Sequence, residues 1–416
     1  MYLPRVADAP LMELLGGMGA VLIEGPRGCG KTSTALEQAQ SSIRLDRSPE
    51  LVQLADLNPA GLLSGATPRL IDEWQLAPAL WNVIRHEVDE RQLRGQFILS
   101  GSASPLEDIS RHSGAGRFGR LRMRPMSLAE SKRSSGAVSL AGLLAGERVS
   151  ATSELSYPEL AEEAVRGGWP GLLGASVRQG VLFNRSYVDD LCGTDVPVAT
   201  GVRHDAARLR RLLESVSRNL SSEVTLQSLA TDVGGDGHPV DPKTIGTYLD
   251  ALSVVFGLDE LPAWSVALRS RSRLRTSPKL HLADPALACA SLGIGPERLA
   301  RDPEYFGQVF ESMVVRDLRA LLADDFGRVY HYRDNTGLEV DAILELPEQG
   351  VWAACEVKLG SARIGEAEAN LLKLRDERVD VARVGVPAFL AVITGTEHAY
   401  TLPSGVHVVP LGVLGS

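Results

Sequence analysis

Residues Gly25 to Thr32 read GPRGCGKT, which matches the P-loop pattern G-x-x-x-x-G-K-[ST]. The apolar run AVLIE, Ala20 to Glu24, predicts a buried strand before the loop, and TSTALEQAQ predicts a helix that begins at its end. A loop between a strand and a helix N-terminus directs backbone N–H groups toward phosphate oxygens. The context therefore predicts a nucleotide-phosphate site in an α/β sheet.

The parts of this loop have distinct expected roles. The N–H groups of Gly28, Cys29 and Gly30 converge on phosphate oxygens. Lys31 reaches the β- and γ-phosphates of ATP, or the β-phosphate of ADP, and Thr32 offers a hydroxyl to Mg²⁺. A chance glycine-rich turn and a Rossmann loop are the alternatives, but this loop lacks G-x-G-x-x-G. The predicted nucleotide-binding residues are Gly25, Pro26, Arg27, Gly28, Cys29, Gly30, Lys31, Thr32 and Ser33.

A second motif, RLIDE from Arg69 to Glu73, has the form of a Walker B strand. We expect Asp72 to hold the Mg²⁺ shell and Glu73 to polarise a water against the γ-phosphate. The alternative is an ordinary solvated strand end. The next strand, QFILS, runs into Gly101, and Ser100 or Ser102 is a candidate polar sensor; ordinary turn serines are the alternative.

Length and composition limit the class of protein. The chain has 416 residues, 44% of them hydrophobic, and a net charge of −9, which argues against a broadly basic nucleic-acid coat. No stretch reaches the ~18 uncharged apolar residues of a membrane span. The N-terminus lacks a signal-peptide pattern, so we expect a cytoplasmic protein with no membrane partner. The scattered cysteines indicate neither a zinc site nor a disulfide framework; they are Cys29, Cys192, Cys289 and Cys355.

The order of predicted elements divides the chain into four parts. Strands and helices alternate over residues 1–130, which predicts a P-loop ATPase core with a parallel sheet. Residues 131–204 are expected to form a linker and a helical, lid-like segment, since their first part is small and polar. A winged-helix-like domain is predicted over 205–277. A restriction-endonuclease-like α/β domain is predicted over 278–416.

The winged-helix prediction rests on three helical segments followed by strand-like VVFGLDEL. In DPKTIGTYLDAL, Asp241 is the expected N-cap and Pro242 the first helical residue. Lys243, Thr244 and Thr247 would face outward on a recognition helix. Arginines at alternate positions follow, and they predict either a DNA contact or a solvated strand edge; they are Arg269, Arg271, Arg273 and Arg275. A helical protein-interaction module is the alternative for the whole unit.

The C-terminal part carries a second constellation, on two neighbouring predicted strands. Glu339-Val340-Asp341 and Glu356-Val357-Lys358 are joined through one turn, and alternation lets Asp341, Glu356 and Lys358 converge on one face. Carboxylates that fix Mg²⁺ and a lysine that orients water are what metal-assisted phosphodiester hydrolysis needs. Glu311, on the preceding helix, could add a ligand. An amphipathic hairpin with charged tips is the alternative.

Taken together, these motifs resemble those of AAA-type P-loop ATPases of bacteria and archaea with a C-terminal domain of unknown function of the DUF4143 type. The resemblance rests on GPRGCGKT, RLIDEWQ, FILSGSAS and GRFGRLRMRPMSLAE, then on PKLHLADPALA, FESMVVRDL, YRDNTGLEVDAILE and CEVKLG. It implies an ATPase core, a winged-helix middle and a PD-(D/E)xK-like end. It also implies that Arg117 or Arg120 acts as a finger on a neighbouring subunit's nucleotide. Ser100 stands where the family often has threonine.

Two functions follow as hypotheses. The first is an ATP-binding, ATP-hydrolysing protein whose nucleotide state controls a nuclease that uses Asp341, Glu356 and Lys358. The second is a non-nucleolytic DNA- or protein-binding switch, a regulator or one partner of a toxin–antitoxin-like pair. DNA, a protein partner and a second copy of the chain are the candidate macromolecular partners.

Overall fold

The computed structural model describes residues 2–103, 114–202, 204–234, 240–264, 277–324 and 326–416. Arg111 and the alternating arginines from Arg269 to Arg275 lie outside these described residues. No helix within the described ranges is long and apolar enough to cross a membrane.

The N-terminal region is an α/β layer structure built on a parallel sheet. Its described strands lie side by side in the order β2-β3-β4-β1-β5, and each pairs in parallel with its neighbour. Alternate residues of β1 enter the hydrophobic clusters on opposite faces of the sheet, Leu22 on one face and Ile23 on the other. The elements are α1 Asp8–Gly17, β1 Ala20–Glu24, α2 Lys31–Gln38, β2 Ser41–Arg44, α3 Pro49–Leu57, α4 Pro59–Leu62, β3 Arg69–Asp72, α5 Leu80–Arg91, β4 Phe97–Gly101 and β5 Phe118–Arg122.

The predicted parallel sheet is therefore observed, and its strand order explains where a ligand would lie. The strand β4 stands between β1 and β3, so the P-loop and Asp72 emerge at the same carboxyl edge of the sheet. Ligands of open parallel sheets bind at this edge.

The start of the predicted linker is packed rather than loose. Its elements are β6 Val138–Ser139, α6 Leu140–Leu144 and β7 Ala151–Thr152. Val138, Leu140 and Leu143 are buried because their apolar side chains enter the core that the middle and C-terminal regions share. In the sequence, small and polar residues surround these apolar positions, so the segment was predicted as a linker.

The middle region consists of short helices and a small antiparallel sheet, ordered β8-β10-β9. The helix α7 begins with a capping box of Ser156 and Glu159, and α12 begins at Pro242 after its predicted N-cap, Asp241. The elements are α7 Tyr157–Arg166, α8 Val177–Asp190, α9 Val196–Thr200, α10 Ala206–Arg218, β8 Ser222–Glu223, α11 Leu226–Gly234, α12 Pro242–Val254, β9 Leu258–Leu261, β10 Lys279–Leu282, α13 Pro285–Ser291 and α14 Pro296–Ala300.

The C-terminal region is a mixed sheet flanked by helices. Its described strands have the order β11-β12-β13-β14-β16-β15-β7, so the segment after the ATPase core supplies an edge strand. The helix α15 contacts β11 and β13, and α16 packs on β13 and β14. The elements are α15 Pro303–Leu321, β11 Arg328–Arg333, β12 Glu339–Leu346, β13 Val351–Lys358, α16 Ile364–Lys373, α17 Val381–Val384, β14 Leu390–Thr394, β15 His398–Thr401, β16 His407–Pro410 and β17 Leu414–Gly415, which pairs with β6.

The sheet pairing moves one predicted boundary. We expected the C-terminal domain to begin at residue 278, but β10 pairs with β8 and β9 of the middle region. Lys279, the first residue of β10, therefore belongs to the middle sheet although its side chain reaches the C-terminal region.

Candidate functional site

The P-loop lies between β1 and α2, as predicted, and glycine is required at two of its positions. Gly25 has φ +154°, and a Cβ there would lie 2.2 Å from the Met123 carbonyl oxygen. Gly30, which caps α2, has φ +104°, a conformation that residues with a side chain rarely adopt. The sequence folds as a tight loop because these positions carry no side chain.

Lys31 is buried inside this loop and donates hydrogen bonds to its own carbonyls. Its Nζ is 2.9 Å from the Gly25 oxygen and 2.8 Å from the Pro26 oxygen. The ammonium therefore lies inside the loop, where its partners are two uncharged carbonyl oxygens. A phosphate oxygen would be a stronger acceptor for the same protons.

Three predicted residues meet beside the loop. Thr32 Oγ1 donates to Asp72 Oδ1 over 2.9 Å, and the Ser100 hydroxyl donates to the same oxygen. Asp72 is 4% exposed, and its other oxygen lies 3.8 Å from Arg44 Nε. A hydroxyl and a carboxylate held together at the edge of a parallel sheet form a donor set suited to Mg²⁺.

Glu73 follows Asp72 in a left-handed backbone conformation, with φ +54°. Non-glycine residues adopt this region at a cost, and such strain concentrates at functional positions. The Gln75 amide donates to its carboxylate. The turn separates the two adjacent carboxylates, so that Asp72 is buried while Glu73 is only half-buried.

Several residues that support the P-loop were not expected from the sequence. Arg5 donates to the Cys29 carbonyl over 2.8 Å and to Glu130 over 2.9 Å. Burial alone would lower the pKa of Arg5, but the charge of Glu130 raises it, so this buried cation keeps its proton. The Tyr187 hydroxyl donates to the Arg27 carbonyl over 3.2 Å. No motif connects these positions in the sequence.

The Arg27 side chain and a cavity also lie beside the loop. Arg27 forms an ion pair with Asp195 over 2.7 Å, which joins the loop to the middle region. A cavity of about 470 Å³ extends along α2 and is lined by residues that include Tyr2, Ser33 and Pro170. It continues the loop on the side of Ser33.

The two arginines predicted as fingers lie on or next to β5, with acidic partners. Arg117 pairs with Asp89 over 2.6 Å, and its carbonyl accepts from the Ala20 N–H at the start of β1. It therefore lies at the sheet edge opposite the P-loop. Arg120 pairs with Glu24 over 3.0 Å and has a 60% exposed side chain. The ion-pair partners Asp89 and Glu24 both lie outside the P-loop of the same chain, so the finger role stays a prediction.

The next two arginines meet a residue of the middle region. Arg122 and Arg124 contact Asp259 on β9, at 3.3 and 3.0 Å. Arg319, from α15, reaches the same carboxylate over 2.6 Å. Burial alone would raise the pKa of Asp259, but the three guanidinium groups hold it well below its usual value. One carboxylate thus joins the ATPase core, the middle sheet and the C-terminal helix.

The predicted C-terminal residues converge as expected. The ladder that pairs Ala342 with Cys355 brings Asp341 opposite Glu356, on one face of the sheet. Lys358 Nζ lies 3.2 Å from Asp341 Oδ2 and also contacts Glu356. The Val357 N–H donates to Asp341 Oδ2 over 2.8 Å.

Glu311 faces the same site from α15, but its partner is a lysine that the sequence did not indicate. Lys279 Nζ lies 2.8 Å from Glu311 Oε1, 2.7 Å from Glu339 Oε1 and 3.6 Å from Asp341 Oδ1. We call these six residues the acid cluster: Lys279, Glu311, Glu339, Asp341, Glu356 and Lys358.

Burial and neighbouring charges shift the pKa values of the carboxylates in this acid cluster in different directions. Burial, together with the charge of Asp341, raises the pKa of Glu311 to about 7 and that of Glu356 to about 9. Burial alone would raise the pKa of Asp341 too, but Lys358 and Lys279 lower it to about 2. Of these three carboxylates, Asp341 is therefore the one that the neighbouring lysines keep ionised.

The metal part of the C-terminal prediction has no direct structural support. Within the ranges that the structure describes, no group of three or more His, Cys, Asp or Glu side chains is arranged to hold a metal ion. The oxygens of Glu311, Asp341 and Glu356 converge, but two ammonium groups lie between them. Carboxylate oxygens are the type of ligand that Mg²⁺ prefers. Their observed positions, however, do not form a binding site for the ion.

Comparison with protein families divides the chain as the geometry does. Residues 18–132 match an AAA domain, residues 157–298 match a domain of unknown function (DUF8612), and residues 306–414 match a domain of unknown function (DUF4143). The chain thus joins an AAA-type P-loop ATPase domain to a DUF4143 domain, which confirms the resemblance found in the sequence.

Two relatives match along nearly the whole chain. They are the uncharacterized proteins Mb2031c of Mycobacterium bovis and Rv2008c of Mycobacterium tuberculosis, each 28% identical over 415 residues, covering 98% of this chain and 83% of the relative. Among solved structures, the chain is similar to the Walker-type ATPase PABY2304 of Pyrococcus abyssi. That similarity has a TM-score of 0.42 and 14% identity, and covers 69% of this chain and 94% of the other.

Proposed function

We propose that this protein binds ATP with Mg²⁺ and hydrolyses it, and that its nucleotide state controls the C-terminal half. The observation that carries the proposal is the contact of Thr32 and Ser100 with one oxygen of Asp72, next to the P-loop. Hydroxyl and carboxylate groups at this edge supply the ligands of a nucleotide-bound Mg²⁺.

On this proposal, each residue has a defined task. Lys31 exchanges its bonds to the Gly25 and Pro26 carbonyls for phosphate oxygens, which accept more strongly because they are charged. Thr32 and Asp72 would hold Mg²⁺, which would offset charge on the phosphates. Glu73 orients the attacking water and accepts its proton. The cavity beside Ser33 accommodates the nucleoside.

The direct test measures binding and turnover separately. Isothermal titration with ATP and Mg²⁺ gives the affinity, and phosphate release gives the rate. An ATP affinity below detection in the wild-type chain, or turnover that is independent of Mg²⁺, would rule the proposal out.

The C-terminal half has two candidate functions. The first is metal-dependent phosphodiester cleavage of DNA, for which the supporting observation is the convergence of Asp341, Glu356 and Lys358. When bound, Mg²⁺ would supply Lewis-acid chemistry at the scissile phosphate, while Lys358 would orient water. The element order of the middle region, three helices with the sheet β8-β10-β9, supports a winged-helix unit that presents Lys243 and Thr247 to DNA.

The second candidate is a non-nucleolytic switch that binds DNA or a protein. The observation that favours it is the neutralisation of the acid cluster by two lysines. DNA cleavage in Mg²⁺ or Mn²⁺ that is lost in Asp341→Ala supports the nuclease. No cleavage with ATP, ADP or neither, in either metal, supports the switch.

Assembly gives a further test of the ATPase. We propose that Arg117 or Arg120 completes the site of a neighbouring subunit, because Arg120 is exposed and both lie on the surface of the core. The rate per subunit should then rise with protein concentration, and Arg→Ala should lower hydrolysis and not ATP affinity. A rate independent of concentration, with normal turnover in both variants, favours a monomer.

A further inference from the structure

Two peptide groups of the P-loop are held by side chains from outside residues 18–132, the segment that matches the AAA domain. The Arg27 carbonyl accepts from the Tyr187 hydroxyl over 3.2 Å, and the Cys29 carbonyl accepts from Arg5 Nη1 over 2.8 Å. Arg5 precedes the AAA segment, whereas Tyr187 lies on α8 of the middle region. The geometry of the loop therefore depends on residues that the P-loop pattern does not include.

The orientation of each carbonyl fixes the direction of a glycine N–H. In a planar trans peptide the C=O and N–H bonds point in opposite directions. The Arg27 carbonyl is thus paired with the Gly28 N–H, and the Cys29 carbonyl with the Gly30 N–H. Among the described residues, neither N–H donates to a protein acceptor. Both belong to the group of N–H donors that is expected to face phosphate oxygens.

Glycine at these positions leaves two peptide orientations open, so the loop needs an external constraint. Gly28 and Gly30 have φ values of +78° and +104°. Rotation of the preceding peptide group reverses the sign of φ, and glycine accepts either sign because it has no Cβ. A rotated peptide would direct a carbonyl oxygen toward the phosphate instead of an N–H. The two hydrogen bonds therefore select the orientation that binds an anion.

Tyr187 is itself held firmly. Its ring stacks on Trp169 with the ring centroids 4.7 Å apart, and Trp169 Nε1 donates to Asn184 over 2.8 Å. A Cβ built on Gly28 would lie 3.9 Å from the Trp169 ring, so the indole packs directly against the loop. Burial raises the pKa of Tyr187, so the hydroxyl keeps the proton that it donates.

Arg5 has equally little freedom. Its side chain is 4% exposed, its Nε donates to Glu130 over 2.9 Å, and its Nη2 donates to the Arg124 carbonyl over 2.9 Å. A planar guanidinium that is bonded on several sides has one orientation. Its remaining nitrogen, Nη1, is therefore fixed on the Cys29 carbonyl.

We infer that Tyr187 and Arg5 are positioning residues for phosphate binding, which keep the Gly28 and Gly30 N–H groups directed at the phosphates of the nucleotide. The inference rests on the proposed nucleotide site and assigns two further residues to it. It also makes the middle region a part of that site, because Tyr187 lies in the segment that matches DUF8612.

The test compares the full-length wild type with Tyr187→Phe, by isothermal titration with ATP, ADP and inorganic tripolyphosphate, each with Mg²⁺. Tripolyphosphate has no nucleoside, so it reports on the phosphate contacts alone. The affinity for all three ligands should fall by the same factor, about tenfold, which is the upper range for one hydrogen bond between uncharged groups. The KM for ATP should rise similarly while kcat stays within about twofold, because the N–H groups bind the phosphates in the substrate and in the transition state.

Tyr305→Phe is the matched control for a purely structural role. The Tyr305 hydroxyl donates to the Ser217 carbonyl over 3.0 Å, so the same type of bond is lost away from the P-loop. Urea unfolding should show a similar loss of stability in the two variants, whereas only Tyr187→Phe should bind the three ligands more weakly. Equal ligand affinities in the two variants would overturn the inference.

Arg5→Lys tests the second residue. Lysine keeps a charge opposite Glu130, but one ammonium cannot replace the guanidinium fork that also holds the Cys29 carbonyl. Tripolyphosphate affinity should fall at least as much as in Tyr187→Phe. If Arg5→Lys does not fold, Arg5→Gln combined with Glu130→Gln replaces it, because this pair leaves no unpaired buried charge. Wild-type tripolyphosphate affinity in the folded variant removes Arg5 from the inference.

Failure of this inference differs from failure of the ATPase proposal. ATP turnover in the wild type, with unchanged tripolyphosphate affinity in Tyr187→Phe, keeps the ATPase and removes the positioning role. Tripolyphosphate binding that Tyr187→Phe weakens, without ATP turnover in the wild type, keeps the positioning role and removes ATP hydrolysis. An affinity loss for ATP and ADP that tripolyphosphate does not show also overturns the inference, since it would assign Tyr187 to the nucleoside.

Discussion

The P-loop site and the acid cluster satisfy their buried charges in different ways. At the P-loop, Lys31 bonds to two backbone carbonyls, and Asp72 accepts from two hydroxyls. In the acid cluster, charge meets charge, since Lys279 and Lys358 face carboxylates directly. A charged side chain that bonds only to neutral partners can exchange them for a charged ligand at low cost. A charged side chain in an ion pair must first lose its counter-charge. Exchange of these partners for a charged ligand is therefore easier at the first site than at the second.

The largest expected effect is a loss of ATP hydrolysis at the P-loop site. Glu73→Gln should lower ATP turnover about 1000-fold, within the range for loss of a general base, while ATP affinity stays close to that of the wild type. Steady-state phosphate release and titration with ATP measure the two quantities. Glu90→Gln, an exposed carboxylate on α5, is the matched control. Wild-type turnover in Glu73→Gln would contradict the assignment of the base.

The next effect concerns the residue that links the two regions. Asp259→Asn should lower the free energy of unfolding by about 3 kcal/mol, because it leaves Arg319 and Arg124 without their buried counter-charge. Urea unfolding measures the change, and Asp56→Asn, which is exposed, should change it by less than about 0.5 kcal/mol. Equal stability of the Asp259 variant and the wild type would show that the link is not a structural one.

The same pair of proteins gives a pH test. The pKa of Asp259 in the folded chain lies well below its usual value, because Arg124, Arg319 and Arg122 outweigh the effect of burial. Its ionised form therefore stabilises the fold above the unfolded pKa of about 3.9, and this stabilisation is lost as the pH falls toward the folded pKa. The stability gap between wild type and Asp259→Asn should stay constant from pH 7 to 5 and narrow below about pH 4. A gap that narrows above pH 5 would contradict this.

The next effect, slightly smaller in free energy, is on ATP binding and tests the role of Lys31. Lys31→Ala should weaken ATP binding about 100-fold, which corresponds to about 2.7 kcal/mol, because it removes a charged donor to the phosphates. Titration with ATP and Mg²⁺ measures the affinity. Lys373→Ala, an exposed lysine on α16, serves as the control. Normal ATP affinity in the Lys31 variant would remove the P-loop assignment.

The smallest expected effect is on stability, at an uncharged hydrogen bond beside the P-loop. Tyr187→Phe removes one hydroxyl that donates to the Arg27 carbonyl, so the free energy of unfolding should fall by about 1 kcal/mol. Chemical denaturation measures it, with Tyr400→Phe, at an exposed position, as the control. A loss above 3 kcal/mol would mean that Tyr187 supports the loop in more ways than this hydrogen bond.

Much of the ATPase core could be predicted from the sequence because its signals are local. The P-loop, its flanking strand and helix, and the strand that ends at Asp72 each occupy one short segment, and their residue spacing defines their geometry. The same holds for Asp341, Glu356 and Lys358, which lie on two strands joined by one turn. Alternation along a strand was enough to place them on one face.

What the tertiary structure alone decided is which distant charges become partners. Arg5 and Glu130 are 125 residues apart, Arg122 and Asp259 are 137 apart, and Lys279 lies in a different sheet from Asp341. Spacing within a segment encodes local geometry, but the pairing of buried ions depends on how regions pack, because burial makes an uncompensated charge costly. The sequence by itself thus determined the ATPase motifs and the acidic hairpin, and only the packing of three regions placed a lysine among its acids.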